Sequence, residues 1–442
     1  MKYRKIIFGS MLAVILILGG VLAVLNWRNR KIQDVEKEKE AQKVQAKAES
    51  QGASEDGKAK SENQEGNKTE EKLHKKDGEY TGISDKDGEN SALDATEIVR
   101  QMTLEEKVAQ IFFVRPEAIT GVEIATVAGE TTRDAYNLYP VGGIVYFAEN
   151  IQGQEQIKTM LENTQNYAIE RMGFPVFLGV DEEGGRVARI AGNPNFQVKK
   201  YTNMKSIGES GDAKRAYEVG KTISDYLKEL GFNMDFAPVA DVISNSSNQV
   251  IGDRSFGTDA ALVGNMAVQE VKGFQDNGMS ACLKHFPGHG GTEGDTHEGF
   301  AYTKKTLEEL KTCELVPFAK GIEADVDFLM TAHISVPNVI GDDTPASMSS
   351  VIMTDLLRNE MGYKGIIITD AMDMGAIVNN YSSREAALAA FQAGADMLLM
   401  PANFQEAYEA IVDGVKGGNI SMERLDASVE RIVRLKLEKN KI

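Results

Sequence analysis

Eight short apolar runs recur between residues 108 and 401, and longer amphipathic stretches separate them. Several runs are continuously apolar, which is typical of parallel strands buried on both faces. The runs are 111–114, 143–147, 176–180, 234–239, 279–283, 326–330, 365–369 and 395–400. Each run is followed by glycine, charged or histidine residues, so chemistry is expected where the strands end.

Amphipathic helices are predicted between the runs. Thr103 and Glu106 have the spacing of a capping box at a helix start. Asp212 can cap a second helix, and Gly231 can end it. The apolar stripe of that helix consists of Ala216, Val219, Ile223, Leu227 and Leu230. Strands alternating with helices predict an α/β fold, a (β/α)8 TIM-type barrel, with all strand ends at one mouth. A doubly wound open sheet is the alternative, but no Gly-x-Gly-x-x-Gly sequence follows the first run.

The N-terminal part of the chain differs in composition from the rest. Residues 6–25 carry no charge. A helix of about 20 residues, which rises 1.5 Å per residue, is long enough to cross the hydrocarbon core of a bilayer. Residues 1–31 are therefore predicted to form a transmembrane anchor. A cleaved signal peptide is the alternative, although its apolar region would normally be shorter. Residues 32–91 are predicted to be a disordered charged linker, because aromatic residues are absent from residue 28 to residue 79. The folded domain is expected to cover residues 92–442.

Net charge and cysteine content narrow the function classes. A net charge of −17 argues against nucleic acid as a partner, because phosphate binding needs a basic surface. Cys282 and Cys313 are too few for a disulfide framework. Cys282 lies in an apolar run and is interpreted as a small core residue.

Two clusters of charged residues follow the third and fourth runs. The third run is followed by Asp181 and then by two arginines, Arg186 and Arg189. Such groups can bind a polar ligand or form a structural ion-pair network. The fourth run leads toward Arg254, which can bind two substrate oxygens or can simply neutralise Asp253.

The fifth run leads into the segment richest in histidine. It ends in Lys284 and His285, and the glycine-rich segment 288–291 is expected to give flexibility to a loop that carries Asp295 and His297. Asp295 could fix the tautomer of His297 for proton transfer. A metal site is the alternative interpretation; its ligands would be His285, His289, His297 and Asp295. No ligand spacing of a known metal motif connects them.

Two further polar residues end the sixth and seventh runs. His333 is interpreted as a hydrogen-bonded residue beneath the pocket. Asp370 follows the seventh run, where a carboxylate could attack a bound substrate, whereas Asp373 is interpreted as a cap or a solvated residue.

Together these segments resemble family 3 glycoside hydrolases, in particular the single-domain β-N-acetylglucosaminidases of cell-wall recycling, over roughly residues 92–440. The motifs are Asp181-x-Glu183-Gly184-Gly185-Arg186, Gly252-Asp253-Arg254-Ser255-Phe256, Lys284-His285-Phe286-Pro287-Gly288-His289-Gly290, Asp295-x-His297 and Thr369-Asp370-Ala371-Met372. Glu182 stands where glutamine is common in the family.

The resemblance implies a role for each motif. Asp370 would be the nucleophile, and His297 with Asp295 would be the general acid/base. The residues that would hold the sugar hydroxyls are Asp181, Arg189, Arg254, Lys284 and His285. The implied enzyme is a retaining exo-β-N-acetylglucosaminidase that acts on peptidoglycan fragments. We expect a monomer without cofactor or metal that is tethered to the cell membrane, with its catalytic domain outside the cell, or secreted if the N-terminal segment is cleaved.

Other functions stay open at this point. A β-glucosidase, a β-xylosidase or an N-acetylglucosaminide phosphorylase could use the same scaffold. A metal-dependent hydrolase and a catalytically inactive wall-binding protein are alternatives from other classes.

Overall fold

The computed structural model of the protein describes residues 94–294 and 301–439. The predicted anchor and the whole of the predicted linker therefore lie outside the described residues, as do Asp295 and His297. Within the described ranges, no helix combines the length and the apolar character needed to span a bilayer.

The predicted barrel is confirmed. The strands are β1 (Phe112–Val114), β2 (Gly143–Val145), β3 (Phe177–Val180), β4 (Glu182–Gly184), β5 (Val187–Ala188), β6 (Met234–Asp235), β7 (Ser280–Phe286), β8 (Ala301–Tyr302), β9 (Phe328–Thr331), β10 (Ile334–Ser335), β11 (Ile366–Thr369) and β12 (Leu398–Leu399). Eight of them form one parallel sheet in the order β11-β9-β7-β6-β3-β2-β1-β12. A parallel bridge between Ile368 and Met397 joins the two outer strands, so the sheet closes on itself.

Helices follow most of the barrel strands. They are α1 (Ala95–Gln101), α2 (Leu104–Gln110), α3 (Pro116–Thr120), α4 (Glu130–Leu138), α5 (Gln154–Met172), α6 (Met204–Glu209), α7 (Ala213–Leu230), α8 (Ala260–Gln275), α9 (Leu307–Thr312), α10 (Leu315–Glu323), α11 (Pro337–Ile340), α12 (Gly375–Val378), α13 (Ser383–Ala393), α14 (Phe404–Lys416) and α15 (Met422–Lys439). Short 3₁₀ turns occur at Ala148–Asn150, Gly252–Arg254 and Ala346–Met348, and Val351–Glu360 is a π-helix.

Helix ends follow the sequence signals. Thr103 and Glu106 form the predicted capping box at the start of α2. Asp212 accepts a hydrogen bond from the Lys214 amide at the start of α7, and Gly231 ends that helix with φ 103°. These local predictions are confirmed.

Aromatic side chains fill the barrel interior because glycines on neighbouring strands leave room for them. The rings of Phe113 and Phe236 lie 5.1 Å apart, edge to face. A Cβ atom at Gly143 or Gly179 would come within 2.3 Å or 2.9 Å of the Phe113 ring, respectively. The interior is therefore a packed core, and a ligand can bind only at the mouth of the barrel.

Two differences from the predicted strands affect the site. The run at 234–239 forms only the two-residue strand β6, because Pro238 has no N–H to donate to a ladder, although Val239 still bridges Lys284. Strand β7 extends to Phe286, so Lys284 and His285 lie within a buried strand and not after its end.

Candidate active site

A cavity of about 510 Å³ opens at the carboxyl ends of the barrel strands. It brings together the predicted sugar-binding residues and the predicted nucleophile. These residues are Asp181, Arg189, Arg254, Lys284, His285 and Asp370. The predicted acid/base pair, Asp295 and His297, lies outside the described residues.

Glu183 connects the two cations on one side of the cavity. Arg254 donates hydrogen bonds from Nε and Nη2 to the two carboxylate oxygens of Glu183, each at 2.7 Å. Lys284 Nζ lies 2.7 Å from Glu183 Oε1 and 2.7 Å from Asp181 Oδ1. Burial alone would raise the pKa of Glu183, but the charges of Arg254 and Lys284 hold it well below its usual range. Glu183 is therefore ionised, and its contacts with Arg254 and Lys284 make these residues, with Asp181, a connected set of hydrogen-bonding groups.

Asp181 and Glu183 both contact Lys284 because side chains alternate between the two sides of an extended chain. Residues two apart point to the same side, so both carboxylates face Lys284, while Glu182 points away. Glu182 is fully buried and accepts hydrogen bonds from the amides of Ile190 and Ala191. It also accepts one from the Tyr226 hydroxyl. Glu182 thus holds the turn after β5 in place from outside the cavity.

Arg254 does not neutralise Asp253, which was one of the two predicted interpretations. Asp253 lies 3.4 Å from Arg186 instead, and Arg254 is paired with Glu183. Arg186 also donates to the carbonyls of residues 249, 250 and 251, just before the turn that carries Arg254. Arg186 therefore fixes the backbone from which Arg254 reaches the cavity.

A buried carboxylate orients His285. Asp241 Oδ2 accepts a hydrogen bond from His285 Nδ1 at 2.7 Å, and Asp241 Oδ1 accepts one from the His289 amide at 2.6 Å. Burial disfavours ionisation of Asp241, but His285 and His289 hold the pKa of this carboxyl below its usual value. His285 Nε2, on the other side of the ring, lies 3.4 Å from Arg254 Nη2.

Asp370 lies at the carboxyl end of β11. Its amide donates to the Thr331 carbonyl on the neighbouring strand, and Asp370 Oδ1 accepts from the Ala371 amide at 2.8 Å. Burial would raise the pKa of Asp370, but His285, His333 and the Ala371 amide lower it below its usual value. The carboxylate is therefore ionised near neutral pH, as a nucleophile must be.

Arg189 is a further cation that lines the cavity. Its Nε is buried without a hydrogen-bond partner, and the guanidinium makes no ion pair within the described part of the chain. Its guanidinium lies 5.6 Å from the centre of the Phe147 ring, and Arg115 lies 4.8 Å from the same ring. Arg115, by contrast, is paired with Glu117 and Glu149. Arg189 is thus available to a ligand.

The glycines of segment 288–291 are closely packed, and the flexibility expected of this segment stays a prediction. Close packing requires these glycines. A Cβ atom at Gly290 would lie 2.2 Å from the Val242 carbonyl oxygen, and one at Gly288, where φ is 125°, would lie 2.6 Å from Glu314 Cβ. At the base of segment 295–300, Glu293 and Tyr302 pair through two backbone hydrogen bonds of 3.0 Å.

The remaining predictions concern residues around the cavity. His333 is fully buried. Ser347 Oγ lies 2.6 Å from His333 Nδ1, and the Ala371 carbonyl oxygen lies 2.9 Å from His333 Nε2. The prediction of a hydrogen-bonded residue beneath the pocket is confirmed. Cys282 is a buried free thiol, as predicted. Asp373 lines the cavity, which was not predicted. Among the described residues, no group of three or more His, Cys, Asp or Glu side chains is arranged to hold a metal ion.

Sequence reasoning missed the roles of Glu183 and Asp241. Neither residue was assigned to the site, although Glu183 lies within one of the motifs. The spacing of Asp181 and Glu183 was the available signal, because carboxylates two apart in an extended segment share a face. No such local signal connects Asp241 with His285, which lies 44 residues further along the chain.

Comparisons with known proteins agree with this geometry. A family model described as "Glycosyl hydrolase family 3 N terminal domain" matches residues 103–435. Beta-hexosaminidase A of Pseudoalteromonas piscicida is 36% identical over 323 residues, which are 67% of this chain and 53% of that protein. A beta-hexosaminidase of Chromobacterium violaceum is 33% identical over 292 residues, 64% of this chain and 79% of that protein.

Solved structures that resemble this chain belong to the same family. The structure of a glycoside hydrolase family 3 β-N-acetylglucosaminidase from Paenibacillus sp. str. FPU-7 has a TM-score of 0.72 at 36% identity. That alignment covers 77% of this chain and 63% of the Paenibacillus chain. The chain spans about half the length of the Pseudoalteromonas relative. On the match over residues 103–435, the chain belongs to glycosyl hydrolase family 3.

Proposed function

We propose that the protein is a retaining exo-β-N-acetylglucosaminidase that removes terminal N-acetylglucosamine from peptidoglycan fragments. The observation that carries the proposal is the ionised Asp370 carboxylate in the same cavity as the Glu183 ion-pair network. Family membership and the names of the relatives, beta-hexosaminidases and a β-N-acetylglucosaminidase, support the reaction and the sugar.

In the proposed reaction Asp370 attacks the anomeric carbon of the sugar. The bond between that carbon and the leaving-group oxygen breaks, and His297 gives a proton to this oxygen. In the second step His297 takes a proton from water, the water oxygen attacks the anomeric carbon, and the Asp370 carboxylate is released. Two displacements leave the β configuration unchanged.

The charged network would position the sugar for that attack. Asp181, Arg254 and Lys284 are already held by ion pairs, so they lose little conformational freedom when they bind hydroxyl groups. Arg189 makes no ion pair with the residues that the structure describes, so its guanidinium is available to a ligand. The cavity of about 510 Å³ suits one terminal sugar and supports exo-cleavage.

Peptidoglycan as the substrate and the outer face of the cell membrane as the location follow from the predicted anchor. An uncharged segment at residues 6–25 would tether the enzyme beside the cell wall. Basic residues flank this segment on both sides, so the orientation rests on the proposed substrate.

The test is product analysis with the purified chain. Muropeptides that carry a terminal N-acetylglucosamine should release the free sugar, detected by mass spectrometry, at a rate that does not depend on added phosphate. Release of the sugar 1-phosphate in phosphate buffer would instead show a phosphorylase. Release of glucose or xylose from the matched glycosides, with N-acetylglucosaminides left intact, would contradict the proposed sugar.

A further inference from the structure

Met330 is the residue of β9 that lines the cavity, and its exposed fraction is only 3%. In the barrel, β9 lies between β11, which ends at Asp370, and β7, which carries Lys284 and His285. The Asp370 amide donates a hydrogen bond to the Thr331 carbonyl, the residue after Met330. The Met330 side chain therefore forms the wall between the proposed nucleophile and two of the groups that would bind sugar hydroxyls.

The polar side chains beside Met330 are bound within the protein. Thr331 Oγ1 donates a hydrogen bond to the Ile368 carbonyl at 3.2 Å. Both ring nitrogens of His333 have partners, Ser347 Oγ at 2.6 Å and the Ala371 carbonyl at 2.9 Å. Thr331 and His333 are fully buried and do not line the cavity. Within the described residues, segment 328–333 thus presents to a ligand an apolar thioether and no side-chain hydrogen-bonding group.

The substituent on C2 of the sugar is the group that belongs at this wall. C2 is next to the carbon that Asp370 would attack, and the following carbon, C3, carries a hydroxyl that Lys284 or His285 can bind. A sugar held in this way places its C2 substituent against β9. A hydroxyl at C2 would lose its hydrogen bonds to water there and gain none from a β9 side chain, which is unfavourable. The methyl group of an acetamido substituent would instead make apolar contacts with the adaptable thioether of Met330.

The other neighbour of β11 in the barrel is β12, and it provides the alternative position. Met400 follows β12, lines the cavity and is 7% exposed. On this side β12, β1 and β2 all lie between β11 and β3, after which Asp181 is the first predicted hydroxyl-binding residue. That wider arc suits C5 and its hydroxymethyl group, whereas the arc through β9 alone matches the short path from C1 to C3.

We propose that Met330 is a specificity-determining residue whose thioether contacts the acyl group on C2 of the sugar. The inference rests on the proposed function, because it takes Asp370 as the nucleophile and N-acetylglucosamine as the sugar. Met330 then favours an N-acylated sugar over one with a hydroxyl at C2. It also limits the length of the acyl chain, because a longer chain would have to displace a side chain packed in the barrel wall. A smaller residue at this position would admit the longer chain.

The experiment changes the size of residue 330 and the length of the acyl group together. In the full chain, kcat/KM is measured for 4-nitrophenyl N-acetylglucosaminide and for its N-butanoyl analogue. One methylene group in an apolar pocket changes kcat/KM by about 10- to 200-fold. Met330→Ala should therefore raise the ratio of kcat/KM for the N-butanoyl substrate to that for the N-acetyl substrate by at least about tenfold. Met330→Val removes less volume and should raise this ratio by about three- to tenfold, so it tests the proposal even if Met330→Ala fails to fold.

Met400→Ala is the matched control, because Met400 is a buried methionine of the same cavity on the other side of Asp370. Its ratio of N-butanoyl to N-acetyl kcat/KM should stay within about threefold of the wild-type ratio. An unchanged ratio in the folded Met330 variants, or a raised ratio in Met400→Ala, would overturn the assignment. A wild-type enzyme that cleaves 4-nitrophenyl β-glucoside faster than both N-acylglucosaminides would refute the proposed function itself, and that result requires no variant at Met330.

Discussion

Replacement of Glu183 by glutamine removes the charge that joins Arg254 and Lys284. Glu183 is 2% exposed and makes three contacts of 2.7 Å with these two cations. In Glu183→Gln, Lys284 keeps Asp181 as a partner, but Arg254 loses its two-point ion pair. Removal of one partner from a buried ion pair typically costs about 3–5 kcal/mol, because the remaining charge is left uncompensated.

The expected change in melting temperature follows from the size of the folded domain. The structure describes about 340 residues, and the entropy of unfolding is about 2.1 cal/mol/K per residue, so the unfolding entropy is about 0.7 kcal/mol/K. A loss of 3–5 kcal/mol therefore lowers Tm by about 4–7 °C. Because Arg254 and Lys284 also position the sugar, kcat/KM should fall by about a hundredfold.

The neighbouring substitution Glu182→Gln is the matched control. Glu182 is equally buried, but it accepts hydrogen bonds from two amides and a hydroxyl and has no ion pair. Burial raises the pKa of Glu182, so removal of its charge is much less costly. One lost hydrogen bond costs about 1–2 kcal/mol, which corresponds to about 1–3 °C.

Thermal melts followed by circular dichroism at several pH values test the cause of the stability loss in Glu183→Gln as well as its magnitude. The folded-state pKa of Glu183 lies well below the unfolded value of 4.5, so its stabilisation is complete above pH 4.5 and is lost only as the pH falls toward the folded pKa. The difference in Tm between wild type and Glu183→Gln should therefore be constant from pH 5 to about pH 8 and narrow below pH 4.5. A Glu183→Gln variant as stable and active as Glu182→Gln would refute this reasoning.

Three further predictions test single contacts. Arg189→Met should raise KM by about 10- to 100-fold with little change in Tm, because the guanidinium makes no ion pair within the described ranges. An unchanged KM in steady-state kinetics would count against this prediction. Gly290→Ala should lower the free energy of unfolding by about 1–3 kcal/mol, since the alanine Cβ would lie 2.2 Å from the Val242 carbonyl oxygen. A variant with the Tm of the wild type would disprove this clash. Glu270 is fully buried, and neither of its carboxylate oxygens has a hydrogen-bond partner among the described residues. Burial raises its pKa well above 4.5, so the folded protein retains a proton that the unfolded chain releases. The stability of the fold therefore falls as the pH rises. Glu270→Met should therefore raise Tm more at pH 8 than at pH 5, and a loss of stability at pH 8 in calorimetry would contradict this.

The sequence predicted the barrel because parallel strands in a closed barrel are buried on both faces and so appear as apolar runs. The place of Asp370 followed from the same rule, because residues at the ends of such strands meet at one mouth. The limits of β6 were less accurate, since the run at 234–239 contains Pro238, whose effect on a ladder depends on the neighbouring strand.

Contacts between distant segments could not be predicted in this way. Glu183 meets Arg254 71 residues later, and Asp181 meets Lys284 103 residues later. Local periodicity contains no information about which acid meets which base. The close packing of Gly290 on the Val242 carbonyl is equally non-local.

Covalent labelling of the enzyme tests the proposed nucleophile most directly. An activated 5-fluoro N-acetylglucosaminide should form an intermediate that hydrolyses slowly, and peptide mapping by mass spectrometry should place the sugar on Asp370. Asp370→Asn should take up no label and lose at least about a thousandfold in turnover, whereas Asp355→Asn, on the exposed face of the π-helix, should behave as the wild type. A label on any other residue, or undiminished turnover by Asp370→Asn, would contradict the account.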